Sequence, residues 1–340
     1  MPGIGLDIGT SVTTIAIGKN VVLCEPSVVS VETDTFEPLK YGSEAYKMIG
    51  RTPDRITTVC PIERGVIANF DVAEQMLRHY MRGVLGSKMV RPRIMVTAQG
   101  GVTAVQRKSL TDVAVSAGAR VIDFIEAPIA AAIGIGIDFT TPHGSIVVDI
   151  GGGTIDVAVL SMGGLAQCES AKVGSKDFDE AIIRYVRKEH NILIGSRTAE
   201  NIKKHVGSVI MRPVDVVMKA KGRNLFSGLP QVFEISSNDV CDAISDISFA
   251  MCNAVQSVLE KTPPEMVGDI ATDGIYLTGG GALIYGMPQM LGAYTGVPVN
   301  LTDNPFNCVA LGAAKACEDP DLLNNGDFET RMLNDLKINN

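Results

Sequence analysis

The sequence predicts an α/β fold made twice over, two related domains holding a ligand between them. Three observations carry this. A strand–glycine turn–strand pattern occurs near the N-terminus and again near the middle of the chain. After each copy, short apolar runs alternate with stretches of helical periodicity, which builds a partly parallel sheet covered by helices. The length, 340 residues, exceeds what one hydrophobic core usually serves.

The second copy is the clearer one. Val147, Val148, Asp149 and Ile150 form an apolar run carrying an acid at its end. Gly151, Gly152 and Gly153 then reverse the chain, and apolar alternation resumes at Ile155. Such a turn leaves backbone N–H groups free to converge on an anion, and the missing Cβ atoms let a phosphate come close. An acid at the end of the first strand can reach a Mg²⁺ ion beside that phosphate. Alone, the pattern fits equally a tight hairpin whose glycines only supply positive φ. The first copy tips the balance. Asp7, Ile8 and Gly9 align with Asp149, Ile150 and Gly151, and Ile15-Ala16-Ile17 aligns with Val157-Ala158-Val159. A spacing of about 140 residues is too long for a solenoid, so each domain offers one turn to a shared ligand.

In chain order, period-two alternation predicts strands at 4–7, 12–17, 21–23 and 28–31. A small polar segment at about 34–66 reads as an insertion, with a short helix at 43–49 and prolines at 53 and 61. Asp71 is the expected cap of a helix to about Leu85, with Val72, Met76, Leu77 and Tyr80 on one face. A basic loop at 86–93 holds the apolar pair Met89-Val90. Strand 94–97, helix 102–117, strand 121–125 and an alanine-rich helix from Pro128 complete the first half.

The second half repeats the scheme. Three strands cover 145–173, and helices follow at 177–190 and 196–206. A polar segment with strands near 213–236 is the counterpart insertion. A long helix at 239–261 has Val240, Ile244, Ile247, Met251, Val255 and Val258 as a stripe at helical spacing, which reads as core. Pro263-Pro264 is expected to stop it. Residues 275–283 read as strand, glycine turn and helix start; strand 297–300 and a helix at 305–316 close the fold. The tail from Asp319 is polar and expected to fray. The division is then 1–142 plus 318–340 for lobe I, with its insertion at about 34–66, and 143–317 for lobe II, with its insertion at about 183–238.

Composition narrows the function. Aromatic residues are 5% with no Trp against 46% hydrophobic, so the cores should be aliphatic. A net charge of −8 argues against general nucleic-acid binding. Seven scattered cysteines with no Cys-x-x-Cys pair read as reduced, buried thiols of a cytoplasmic protein. Four histidines show no ligand spacing, and His79, His190 and His205 read as helix-surface residues. No signal peptide is expected, and the longest apolar run, 127–137, is too short to cross a bilayer.

Three glycine turns are candidates for one site: 9–12, 151–154 and 279–282. Two are hairpins suited to phosphates; the third is expected to open a helix, whose N-terminus favours anions. No Gly-Lys-Ser/Thr follows, which excludes the Walker pattern. A dinucleotide fingerprint would want one such turn opening a helix and an acid about 20 residues on.

These residues resemble a family. Gly5-Leu-Asp-Ile-Gly-Thr10, the hairpin from Asp149 to Val159, and Leu277-Thr-Gly-Gly-Gly281 are similar to the actin, Hsp70 and sugar-kinase superfamily. Within it the chain most resembles the bacterial actins of the MreB/Mbl family. The closer matches are Glu25-Pro-Ser-Val28, Lys47-Met-Ile-Gly-Arg-Thr-Pro53, Gly65-Val-Ile-Ala68, Pro128-Ile-Ala-Ala-Ala-Ile133, Arg197-Thr-Ala-Glu200 and Leu259-Glu-Lys-Thr-Pro-Pro-Glu265. They run in order from about residue 3 to 318. The resemblance implies an actin-like (ribonuclease H-like) duplicated fold, two lobes of four subdomains around a nucleotide cleft. It implies ATP as the ligand, with the backbone at Thr10, Ser11, Val12 and at Gly151, Gly152, Gly153 and Thr154 holding phosphates. Asp7 and Asp149 would hold Mg²⁺ through water. Glu200, Asn201, Ile202 and Lys203 match the helix that contacts ribose and adenine; Glu200 and Lys203, three apart, share a face. Gly280, Gly281, Ala282 and Leu283 would close over the base.

The departures matter as much. The family usually carries two acids before the proline of the Pro128 helix, the second positioning the attacking water. Here the chain reads Ile125-Glu126-Ala127-Pro128. Ala127 cannot orient water, and Glu126, the candidate catalytic acid that remains, points elsewhere if strand alternation holds. Slow hydrolysis with binding retained is the expectation. Val12 stands where the family usually has Asn, and Asp156 where it usually has Glu. Met89 and Val90, flanked by Lys88, Arg91 and Arg93, lie where the family has a membrane-inserting loop; packing on its own domain fits that loop equally.

The resemblance implies a nucleotide-dependent filament protein at the inner face of the cytoplasmic membrane, partnered by itself and by the cell-wall elongation machinery, directing rod shape. A non-hydrolysing paralogue that co-assembles with such filaments is the alternative. A small-molecule kinase of the same superfamily would need an acceptor pocket with a carboxylate base, and no further acid stands out for it.

Overall fold

The computed structural model of the protein describes residues 3–86, 92–319 and 329–332. Met89 and Val90 lie outside the described residues.

The first half opens with the meander β1 (Ile4–Ile8), β2 (Val12–Ile17) and β3 (Asn20–Pro26). An inserted unit follows: β4 (Val29–Glu32), β5 (Pro38–Tyr41), α1 (Gly42–Met48), β6 (Ile56–Val59) and the short ribbon β7 (Ile62–Glu63) and β8 (Val66–Ile67). The chain returns through α2 (Phe70–Leu85), β9 (Arg93–Ala98), α3 (Ala104–Ser116), β10 (Val121–Glu126) and α4 (Ala127–Ile135). Its second half runs β11 (Ser145–Ile150), β12 (Ile155–Ser161), β13 (Gly164–Ala171), α5 (Ser175–His190), β14 (Ile192–Leu193), α6 (Ser196–Val206), β15 (Val217–Asn224), β16 (Pro230–Ser236), α7 (Ser237–Lys261), α8 (Pro264–Asp273) and β17 (Ile275–Thr278). A 3₁₀ turn (Gly280–Leu283), α9 (Met287–Thr295), β18 (Val299–Leu301), α10 (Cys308–Glu318) and β19 (Glu329–Met332) finish it.

The duplication is visible in the strand order. One sheet runs β3-β2-β1-β9-β10-β19 and the other β13-β12-β11-β17-β18, so each is an antiparallel meander continued by two parallel strands, with β19 added antiparallel at the edge of the first. The registers match as well. Asp7 faces Thr14 across the first hairpin and Asp149 faces Asp156 across the second. We call the halves built on these sheets lobe I and lobe II. The inner strands of each central sheet are covered by helices and apolar on both faces; β12 is buried along its whole length. Separate aliphatic cores fill lobe I, around Leu6, Met76 and Val96, and lobe II, around Val157, Phe178 and Val255. The α7 stripe is part of the second core; only Ile247 among its six residues is less than fully buried.

A third core joins the lobes. It combines α4 and α10 with Met95 and Ile125 of one sheet and Val147 and Leu160 of the other. The two helices are exchanged: α4 packs on β11 and β12 of lobe II, and α10 on β1, β2 and β9 of lobe I. Residues 308–317 thus belong to the second half by sequence and cover the first half by packing. The connection after α4 is pinned to α8, because His143 Nε2 bonds Asp273 (2.7 Å) and the Gly144 N–H donates to Asp269 (2.8 Å).

Several elements differ from the sequence expectation for local reasons. Asn69, not Asp71, caps α2, its side chain accepting from the Val72 N–H, so the helix begins two residues earlier, at Phe70. Thr103 and Gln106 form a capping box that delays α3 to Ala104. Pro263-Pro264 ends α7 but also starts α8, since proline is tolerated in a first helical turn where no N–H partner is needed. The polar tail returns to pair antiparallel with β10. Cys24 and Cys168 are exposed and Cys60 is intermediate, so only four of the seven thiols are buried.

Candidate functional site

The two glycine hairpins meet tip to tip. Gly9 N–H closes the first turn on Val12 O (3.1 Å), and Gly151 N–H closes the second on Thr154 O (2.9 Å). The amides between them lie outside the strand ladders. None of Gly9, Gly151, Gly152 and Gly153 has positive φ. Their glycine identity therefore answers to space. A Cβ on Gly152 would collide with the Ser11 side chain, and one on Gly153 would lie 2.8 Å from Thr10 Oγ1 and 2.9 Å from Arg64 Cα. Close approach of one hairpin's backbone to the other is what these positions provide.

The start of α5 backs the second turn. Ser175 and Lys176 donate their N–H groups to the carbonyls of Gly151 and Gly152 (3.0 and 2.9 Å), and Lys176 Nζ crosses to Thr10 O (2.8 Å). Gly174 packs against Gly153 N, where a Cβ would come within 2.5 Å. From lobe I, the Gly65 N–H donates to Thr10 Oγ1 (2.9 Å), while Arg64 reaches Lys172 O (2.5 Å) and Asp177 (3.1 Å) in lobe II. Gln99 Nε2 donates to Thr154 Oγ1 across the cleft (3.1 Å).

Behind the turns lie three carboxylates. Thr97 Oγ1 donates to Asp7 Oδ1 (2.8 Å), and Thr154 Oγ1 donates to Asp156 Oδ2 (3.2 Å). Burial pushes the Asp7 carboxyl up to about 6; the Thr97 bond opposes this and Asp156 adds to it. Burial, then repulsion from Asp156 and Asp7, pushes Asp149 well above the usual carboxylate range. Asp156 is raised chiefly by burial, and its Oδ1 is buried without a hydrogen-bond partner. A hard, all-oxygen donor set short of positive charge fits a divalent cation such as Mg²⁺. Among the described residues no three metal-binding side chains form a direct cage, so such an ion would complete its shell with water and ligand oxygens.

The third glycine turn joins the same place. Gly279 has φ 86° and lies against Asp149 and Ile150 O. Gly280 to Leu283 make one 3₁₀ turn, not the start of an α-helix; α9 begins only at Met287. The helix-terminus argument for this turn therefore fails, and close packing on the Asp149 strand end replaces it: a Cβ on Gly281 would sit 3.0 Å from Ile150 O. Ala282 is buried and Leu283 exposed.

On α6, Glu200 reaches across the cleft. The Tyr46 hydroxyl donates to its Oε2, and Lys204 pairs with its Oε1 (2.6 Å). Burial alone would raise this carboxyl; the bonds from Lys204 and Tyr46 outweigh it and hold it below the usual range. Arg197 donates to Lys47 O (2.8 Å) and lies over the Tyr46 ring. Lys203 is held by Ser175 O and Asp179 Oδ2 (both 2.8 Å). Ile202 is fully buried in the lobe II core and Asn201 is exposed. Glu126 occupies the N-cap position of α4 without a side-chain capping bond, and Ala127 is buried in the core between the lobes. Sequence reasoning missed Tyr46, Gln99 and Lys176, each of which meets its partner only through the fold.

Two duplicated α/β lobes with facing glycine hairpins define an actin-like fold. The chain belongs to the MreB/Mbl family: the model described as MreB/Mbl protein matches residues 1–325. It is 42% identical over 324 residues to the cell shape-determining protein MreB of Escherichia coli strain K12, covering 93% of each chain. It is 38% identical over 322 residues to the cell shape-determining protein Mbl of Bacillus subtilis strain 168, covering 94% of this chain and 97% of that one. The crystal structure of MreB5 of Spiroplasma citri bound to ADP superposes with a TM-score of 0.89 at 34% identity, over 95% of this chain and 98% of the other. A second crystal structure of that protein holds AMPPNP. Among the described residues no helix is long and apolar enough to cross a membrane.

Proposed function

We propose that the chain binds ATP between its lobes and assembles with its own kind into filaments at the inner face of the cytoplasmic membrane, directing cell-wall elongation and rod shape. The observation that carries this is the facing of Gly152 and Ser11, two glycine-hairpin tips with the acids Asp7, Asp149 and Asp156 behind them. Amides at the tips would hold phosphates, and the acids would hold Mg²⁺, which neutralises phosphate charge when bound. The two nucleotides in the Spiroplasma citri structures, and the cell shape-determining role for which the relatives are named, support the reading. The lobes divide near residue 142 and turn about the crossing of α4 and α10. Ala127, the residue that follows β10, brings no carboxylate of its own to position water and leaves only Glu126 before the helix, so turnover is slow while binding is retained.

ATP-dependent sedimentation with electron microscopy of the purified chain tests this; filaments with ATP support it, and a chain that stays monomeric at every nucleotide and protein concentration sinks it. Ala127 favours one second reading, a non-hydrolysing partner within a relative's filaments. That reading expects pelleting only when the relative is added.

A further inference from the structure

We propose that the Gln99 amide, paired with the Thr154 hydroxyl, orients the water that attacks ATP in place of an acid at Ala127; this rests on the nucleotide-site reading above. The strand register puts Gln99 beside Ala127. β9 and β10 are parallel with Ala98 opposite Glu126, so the next residues, Gln99 and Ala127, leave the sheet together at its carboxyl edge. Adjacent strands lie about 4.8 Å apart, close enough for a longer side chain on one to serve the ground lost on the other.

The side chain reaches across the cleft to the second hairpin. Gln99 Nε2 donates to Thr154 Oγ1 (3.1 Å), and that hydroxyl spends its own proton on Asp156 Oδ2 (3.2 Å). On its other side the Gln99 amide lies directly against Gly65, which has φ 74° and donates its N–H to Thr10 Oγ1 (2.9 Å). A Cβ at 65 would occupy the same space as the amide. Gln99 therefore sits between Thr154 of one hairpin and Thr10 of the other, where the end of a phosphate chain held by both would lie.

A glutamine amide offers a donor and an acceptor but no base. It can fix a water in line for attack without taking its proton, a device nucleotide hydrolases use. The water oxygen forms the new bond to the terminal phosphorus as the bridging P–O bond breaks. The electron pair leaves on ADP, and the water proton passes to the released phosphate. Without a carboxylate to draw that proton, the step is slow but depends on Gln99.

Equilibrium ATP binding and single-turnover phosphate release, on the full chain with Mg²⁺, decide it. Gln99→Ala is expected to leave the ATP Kd within about threefold and to slow release by about tenfold or more, the scale of a lost positioning group. Gln99→Asn keeps an amide but withdraws it by one methylene, and should slow release in the same way at an unchanged melting temperature. Ala127→Glu should raise the rate, and in that background Gln99→Ala should cost less than about threefold, because the acid then orients the water. Gln99→Ala that binds ATP and releases phosphate at the wild-type rate overturns the proposal and leaves the nucleotide reading standing. A rate loss matched by an equal loss of affinity makes Gln99 a bridge between lobes only, and also overturns it. A wild-type chain that does not bind ATP overturns both.

Discussion

Gly134 and Gly312 each lie against the backbone of the other's helix. A Cβ on Gly134 would strike the Cys308 carbonyl, and one on Gly312 would strike the Ala130 carbonyl. The relation is reciprocal. Gly134 is one helical turn after Ala130 in α4, and Gly312 is one turn after Cys308 in α10. Glycine lets the two helices cross with backbones touching, at the centre of the core that joins the lobes.

Enlarging either residue should force the helices apart. Gly312→Val is expected to lose about 1–3 kcal/mol, the usual range for overpacking, read as a fall of several degrees in thermal unfolding. Gly83→Ala is the control: it lies within α2 with open space around it and should gain up to about 1 kcal/mol. Equal melting temperatures for Gly312→Val and the wild type would show that the crossing is not tight.

The Tyr46–Glu200 bond spans the mouth of the cleft. Tyr46→Phe removes the hydroxyl and leaves Glu200 with Lys204. A partly exposed bond to a charged group contributes about 1 kcal/mol after solvent competition. Release of a fluorescent ATP analogue should therefore speed up about fivefold in stopped flow. An unchanged release rate would mean that this contact does not limit opening.

His143 gives the linker a pH-dependent anchor. Its hydrogen bond to Asp273, with Asp269 nearby, raises the imidazole above its ordinary 6.5. A raised folded value means that the protonated form is the one favoured by folding. The contribution is full below pH 6.5 and is lost as pH climbs through the raised value. His143→Gln should lower the urea midpoint at pH 5.5 and match the wild type near pH 9. A deficit that grew with pH would contradict the assignment.

Gly152→Ala tests the hairpin contact. The added methyl meets Ser11, and the φ of Gly152 is not positive, so the local backbone tolerates alanine. ATP affinity should fall about tenfold or more while far-ultraviolet circular dichroism is unchanged. Wild-type affinity would place the phosphates elsewhere.

Much of this was legible in the sequence where the signal is local and periodic. The repeat of Asp7-Ile8-Gly9 at Asp149-Ile150-Gly151 announced two sheets, and their strand orders do match. The α7 stripe announced its buried face. Signals that cut two ways were read one way only. Pro264 begins a helix as readily as Pro263 ends one, so α8 was missed. Strand β14, two residues long, exists only because Ile192 and Leu193 pair with Asn224 and Arg223 of β15, in that order. The cross-cleft contacts were out of reach altogether: Tyr46 and Glu200, or Gln99 and Thr154, have no sequence feature that refers to the other. The loss at Ala127 was legible and the glutamine beside it was not, because their adjacency is a fact of strand register.

The exchanged helices have a further meaning. Each sheet takes one covering helix from the other half, through a contact in which Ala130 and Gly134 meet Cys308 and Gly312 reciprocally. This is the geometry of an isologous dimer written into a single chain. A half-length chain ending after α4 would have the helix to lend and the sheet to receive it, and a copy of itself would satisfy both. The chain keeps that reciprocity where its halves are joined and departs from it at the hairpins, with Thr14 opposite Asp7 in one and Asp156 opposite Asp149 in the other.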